Sequence, residues 1–150
     1  MIVTQTNDGL STANSYVTTA ELSAYASQRG IVLNSADLES LLFKSMDVLE
    51  SKQYKSEPLN DAQSTLFPRM GVAIPRAIKQ AQLMLAVAAD TNDLLSATTD
   101  QVTKREKVDS IEVEYFESTT TESPLLTLVD SILKPYLAGG IGLNVRVYRG

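Results

Sequence analysis

The segment Gln101 to Glu117, QVTKREKVDSIEVEYFE, gathers eight charged side chains in a 150-residue chain that has only 13 Lys and Arg and 18 Asp and Glu in all. Three chemistries are open to it. Lys104, Arg105 and Lys107 could contact phosphates, Glu112 and Glu114 could hold a cation, or the two sets could pair with each other. Ile111 to Tyr115 alternates apolar and acidic residues with the period of two of a half-buried strand. A reversal at Asp109-Ser110 sets Lys107 opposite Glu112 and Arg105 opposite Glu114, joining unlike charges on one face. The segment therefore reads as a charged β-hairpin over 101–117. Asp-Ser is a poorer turn pair than Asn-Gly, because neither residue takes positive φ as cheaply as glycine. Glu106, Glu112 and Glu114 lie close enough to neutralise the basic residues, which makes DNA capture the weaker reading. Acidic residues two apart on a strand are most often a wet face, so no metal or cofactor site is predicted.

Tyr16, Tyr25, Tyr54 and Phe67 could stack bases as aromatics do in single-stranded-DNA binders. They read better as core fillers and helix-end anchors. The chain has neither His nor Cys, which removes the commonest general base, the commonest transition-metal ligand and every histidine-activated nucleophile. No glycine-rich phosphate loop, HExxH or CxxC pattern is present. Catalysis would have to rest on carboxylates, lysines or tyrosines, and the expectation is a protein with no catalytic residue and no cofactor. A net charge of −5 and a pI near 4.7 also speak against a protein built mainly to grip phosphates.

These groups must be carried by a framework, and the length fits one domain over residues 1–150. A hydrophobic fraction of 43% with mean hydropathy near zero suits a globular protein. No apolar run approaches the roughly 20 residues that span a bilayer. The start, MIVTQTNDGL, lacks the basic and apolar regions of a secretion signal, so synthesis in the cytoplasm is expected.

Thr18 and Glu21 form a capping box, Val17 can staple against Leu22, and Gly30 offers a stop for the first helix. Leu38, Leu41, Leu42, Ser45, Met46 and Leu49 share one face of a second helix predicted from Ser35 to Gln53, with Asp37, Glu39, Lys44 and Lys52 toward water. Tyr54 to Ile74 reads as a long connection punctuated by Pro58, Pro68 and Gly71, with Phe67 tucked inward. Pro75 is predicted to open a third helix, apolar on nearly every face from Ile78 to Ala89 apart from Gln80 and Gln82, and hence the central one. Ser123-Pro124 reads as N-cap and first residue of a last helix with the stripe Leu125, Leu128, Val129, Ile132 and Leu133. Pro135 is expected to bend its final turn and Gly139-Gly140 to end it. Ile141 to Gly150 has apolar residues at 141, 143, 145 and 147, an extended arm with one sticky face. The predicted fold is mainly α, a small bundle of about four helices with a projecting β-hairpin and an extended C-terminal arm. Such appendages bury little within their own chain, so a partner is expected.

The order of motifs is similar to that of a tailed-bacteriophage family whose members are often labelled DnaT-like single-stranded-DNA-binding proteins. The resemblance rests on Ala13-Asn14-Ser15-Tyr16-Val17, Leu66-Phe67-Pro68-Arg69, Ile74-Pro75-Arg76-Ala77-Ile78-Lys79-Gln80-Ala81-Gln82, and Val102 to Val108 entering Ile111 to Tyr115. It covers nearly the whole chain and looks like the head-tail connector, or head-completion adaptor, group. That likeness implies a virion protein of the neck: a homo-oligomeric ring, usually twelvefold, which docks on the portal protein and meets a tail-side neck or tail-terminator protein. DNA would pass through the ring without specific binding. Under it, the hairpin with Lys104, Arg105, Lys107, Asp109, Glu112 and Glu114 faces the channel or a neighbouring ring. Val145, Arg146, Val147, Tyr148 and Arg149 of the arm hook onto the portal. The chain departs from the pattern at Asp109, where a glycine is expected before the serine of the turn. The alternative is the literal label, a single-stranded-DNA-binding replication protein. The acidic balance, the absence of Trp and the lack of a basic stripe count against it, and a small hydrolase is a more distant third.

Overall fold

Helix formation starts where the capping box predicts it. Thr18 is extended, at φ −91° and ψ 164°, and its side chain accepts from the Glu21 N–H while the Glu21 carboxylate accepts from the Thr18 N–H at 2.6 Å. The computed structural model describes residues 1–91 and 124–139, and in it this cap opens α1, Thr19–Gln28. Val17 and Leu22, on either side of the cap, are buried in one cluster as a hydrophobic staple requires. The stop is equally local. Gly30 takes φ 65°, and the Gly30 and Ile31 N–H groups return to the carbonyls of Ser27 and Ala26 at 3.1 and 3.0 Å, the bond pair of a Schellman motif.

α2 spans Leu38–Glu50, shorter at both ends than predicted, because the Asp37 side chain caps it by accepting from the Ser40 N–H and Ser51 closes it. Leu41, Leu42, Ser45, Met46, Val48 and Leu49 are buried along it. α3 is Arg76–Thr91. Pro75 stands just before it rather than as its first residue, and its carbonyl accepts from the Ile78 and Lys79 N–H groups. As expected, α3 is the central helix, packing against α1, α2 and the fourth helix. Gln82, read from sequence as a polar interruption, is fully buried. Its amide accepts from the Tyr16 N–H at 2.9 Å and donates to Ser15 Oγ at 2.8 Å, so the segment before α1 is hydrogen-bonded into the centre of the fold.

α4, Pro124–Leu133, begins with proline, whose missing N–H costs nothing there. Val129 and Leu133 are buried, whereas Leu128 of the predicted stripe is 51% exposed. The helix ends at Leu133 instead of bending through Pro135. A proline cannot donate to the ladder and disfavours helix in the residue before it. The Tyr136 and Leu137 N–H groups then turn back to the Leu133 carbonyl, at 2.8 and 3.1 Å. Among the described residues there is no strand, only isolated bridges such as Tyr54 with Leu137, so the fold is mainly helical. None of the described helices is long and apolar enough to cross a membrane. The predicted hairpin over 101–117 and the arm over 141–150 lie outside the described residues.

Candidate functional site

Of the four aromatics that could have stacked bases, Tyr16, Tyr54 and Phe67 are in the core, at 1%, 7% and 1% exposure. The Phe67 ring lies edge-on to Tyr16, Tyr54 and Tyr136, with centroids 6.5, 4.9 and 6.3 Å away. Tyr25 is half-buried, and the Arg29 guanidinium sits 3.6 Å above its ring. The core-filler reading therefore holds for Tyr16, Tyr54 and Phe67. Lys104, Arg105, Lys107, Asp109, Glu112 and Glu114 lie outside the described residues, as do Val145, Arg146, Val147, Tyr148 and Arg149.

The polar centre of the described fold is a cluster beneath Phe67. Arg69 is buried, and its guanidinium donates to the carbonyls of Lys55 at 2.6 Å, Leu66 at 3.0 Å, Tyr54 at 3.4 Å and Ser56. It thus ties the end of the α2 segment to the 66–69 loop without a carboxylate in direct contact. Glu50 is near enough to feel it. Burial raises the Glu50 carboxyl above its ordinary range, opposed by hydrogen bonds from Tyr16 and Leu66 and by the charge of Arg69. Burial, and then the Glu50 charge and hydrogen bond, push the Tyr16 hydroxyl well above its ordinary value. The Tyr54 hydroxyl is likewise raised by burial and then by the Glu50 and Asp130 carboxylates, with Arg69 pulling the other way.

Next to this cluster the segments that follow α2 and α4 meet. Two backbone bonds, Lys55 N–H to the Tyr136 carbonyl at 2.8 Å and Ala138 N–H to the Gln53 carbonyl at 2.9 Å, lay residues 53–55 alongside 136–138. Lys52 Nζ pairs with Asp130 Oδ1 at 2.5 Å, and Lys55 Nζ donates to the Pro135 carbonyl at 3.2 Å. Lys134 is exposed beside Pro135. Lys52 and Lys55 thus meet a distant part of the chain that holds Asp130, Lys134 and Pro135, with the Asp130 carboxylate in contact with Lys52. Tyr136 is half-buried at the same place. Sequence reasoning placed Lys52 in water and did not single out Lys55 or Lys134. The Lys52-x-x-Lys55 spacing was a visible signal, but nothing in the sequence brings Lys134 to it.

Every buried side-chain nitrogen and oxygen among the described residues has a hydrogen-bond partner, and no group of three acidic residues there is arranged to hold a metal ion. The described corner offers ammonium groups and an aromatic edge. A protein-family model described as "Putative DnaT-like ssDNA binding protein" matches residues 1–150, the whole chain, and the chain belongs to that family. Neither a curated protein nor a solved structure matches it. The family match corrects the expectation of a head-tail connector in the virion neck. That expectation rested on a resemblance carried by motifs along nearly the whole chain, whereas the family that matches is described by single-stranded-DNA binding and not by a place in a phage particle.

Proposed function

We propose that this protein binds single-stranded DNA. The observation that carries the reading is the family match across residues 1–150. The absence of a basic stripe in the sequence weighed against it, but folding supplies part of what the sequence lacks by collecting Lys52, Lys55 and Lys134 at one corner. Single-strand binders of low sequence preference combine cationic groups for the backbone with aromatic faces for bases. In an acidic protein such a corner also orients the approach of a polyanion, since local potential rather than net charge acts at contact distance.

The reading is of a binding protein and not an enzyme, supported by the lack of His and Cys in the whole chain. Self-association belongs to the same proposal, because cooperative occupation of a strand is normal for such proteins. Light scattering with and without oligothymidylate tests that part. The main test is fluorescence anisotropy with a labelled oligothymidylate and a duplex of equal length over a series of salt concentrations. Tighter binding of the single strand, with log K falling linearly in log salt, is the expected outcome. Equal or stronger binding of the duplex would sink the reading.

A further inference from the structure

We infer that the corner where the segments following α2 and α4 meet is a phosphate-contacting surface for single-stranded DNA, in which Lys55 and Lys134 reach the backbone and Asp130 holds Lys52 in check. The inference rests on the single-strand-binding reading above and names its surface. Lys55 and Lys134 are both exposed, and Lys55 spends only one of its three donors on the Pro135 carbonyl. The Lys55 backbone is fixed by the pairing of 53–55 with 136–138, and Lys134 sits in the turn that the Tyr136 and Leu137 N–H groups close on the Leu133 carbonyl, so both ammonium groups stand on a hydrogen-bonded support. Tyr136 is anchored edge-on to Phe67 and is only half-buried, which leaves an aromatic edge beside the two lysines.

Asp130 gives the corner its particular character. Its side chain is 42% exposed while that of Lys52 is 19% exposed, so the carboxylate is the wetter partner of the pair. An approaching phosphate therefore meets Asp130 as a repelling charge next to two attracting ones. Removing that charge should release Lys52 for the backbone and strengthen binding. A pair serving only to join α2 to α4 predicts the reverse, or no change, because its loss would loosen the corner.

The test uses the full chain and a fluorescent oligothymidylate, with affinity measured across a salt series and thermal melts confirming that each variant is folded. The double variant Lys55→Ala/Lys134→Ala should bind about tenfold more weakly at low salt and lose about 1.4 from the slope of log K against log salt, for two phosphate contacts on a single strand. Asp130→Asn should bind more tightly than the wild type with a steeper slope. Lys44→Ala, removing an exposed lysine on α2, should bind as the wild type does. If the wild type binds single strands but the double variant keeps its slope, or Asp130→Asn binds no better, the inference is overturned while the function stands. If the wild type binds no single strand at all, both are overturned.

Discussion

The Tyr16 hydroxyl donates to Glu50 Oε1 at 2.6 Å and accepts from the Phe67 N–H at 3.1 Å, so one buried phenol joins the entry to α1, the end of α2 and the 66–69 loop. Glu50 completes the junction by accepting from the Leu66 N–H through its other oxygen at 2.9 Å. Tyr16→Phe removes no apolar contact but leaves an amide N–H and a carboxylate oxygen short of a partner. Unsatisfied groups of this kind cost about 1 to 3 kcal/mol. Urea unfolding of Tyr16→Phe should show a loss in that range with an unchanged m-value. A loss near zero would mean that water reaches both groups.

Glu50 carries a pH signature. Its carboxyl is raised, chiefly by burial, so the folded protein holds that proton more readily than the unfolded chain does. Its contribution is then most favourable below the unfolded pKa and is lost as pH rises through the folded value. Glu50→Gln lacks this titration. The stability difference between variant and wild type should therefore shift in favour of the variant between about pH 4 and pH 8, spanning the ordinary glutamate value. Paired denaturation curves at the two pH values check it, and a pH-independent difference would contradict the raised carboxyl.

Asp90, near the end of α3, acts in the opposite direction. Its carboxylate accepts from the Asn34 and Ser35 N–H groups, both at 2.7 Å, and from Asn34 Nδ2 at 3.2 Å, clamping the connection between α1 and α2. The Asn34 backbone bond is the first cause that holds this carboxyl below its ordinary range. A depressed acid stabilises above its unfolded pKa and ceases to as pH falls through the folded value. Asp90→Ala should thus melt at a lower temperature than the wild type at neutral pH, with the gap closing in acid below about pH 4. Amide exchange at Asn34 and Ser35 should quicken in the variant, while that of α2 does not.

What the sequence disclosed was what neighbouring residues decide among themselves. The Thr18–Glu21 box, the Gly30 stop, the α2 stripe and the proline start of α4 each depend on partners within about a turn or two. Gln82 was misjudged because its partners, Tyr16 and Ser15, are 66 and 67 residues away, and a glutamine in an apolar run looks the same whether or not such partners exist. Lys52 was placed in water for the same reason, Asp130 being 78 residues distant. The candidate surface suffers most from this limit. Its lysines look scattered along the chain, and only the pairing of 53–55 with 136–138 makes them neighbours.

Arg69 connects fold and surface. Its guanidinium serves four backbone carbonyls, two of which belong to Lys55 and Ser56, so the Lys55 segment is held from beneath. Arg69→Lys keeps the positive charge but replaces a planar fork of five N–H donors by one ammonium that cannot reach all four acceptors. The abandoned carbonyls are buried at Tyr54 and part-buried at the other three, and the substitution should cost about 1 to 3 kcal/mol in chemical denaturation. The bonds from Leu59 N–H to Pro68 and from Met70 N–H to Glu57 close the same loop, so exchange at those two amides should rise first. Binding of oligothymidylate then separates two contributions of the residue. If affinity followed total charge alone, Arg69→Lys would bind as the wild type does once folded. Because the Lys55 backbone is set by the guanidinium, we expect weaker binding at a temperature where the variant is fully folded, with the salt slope reduced by about 0.7, the share of one phosphate contact on a single strand.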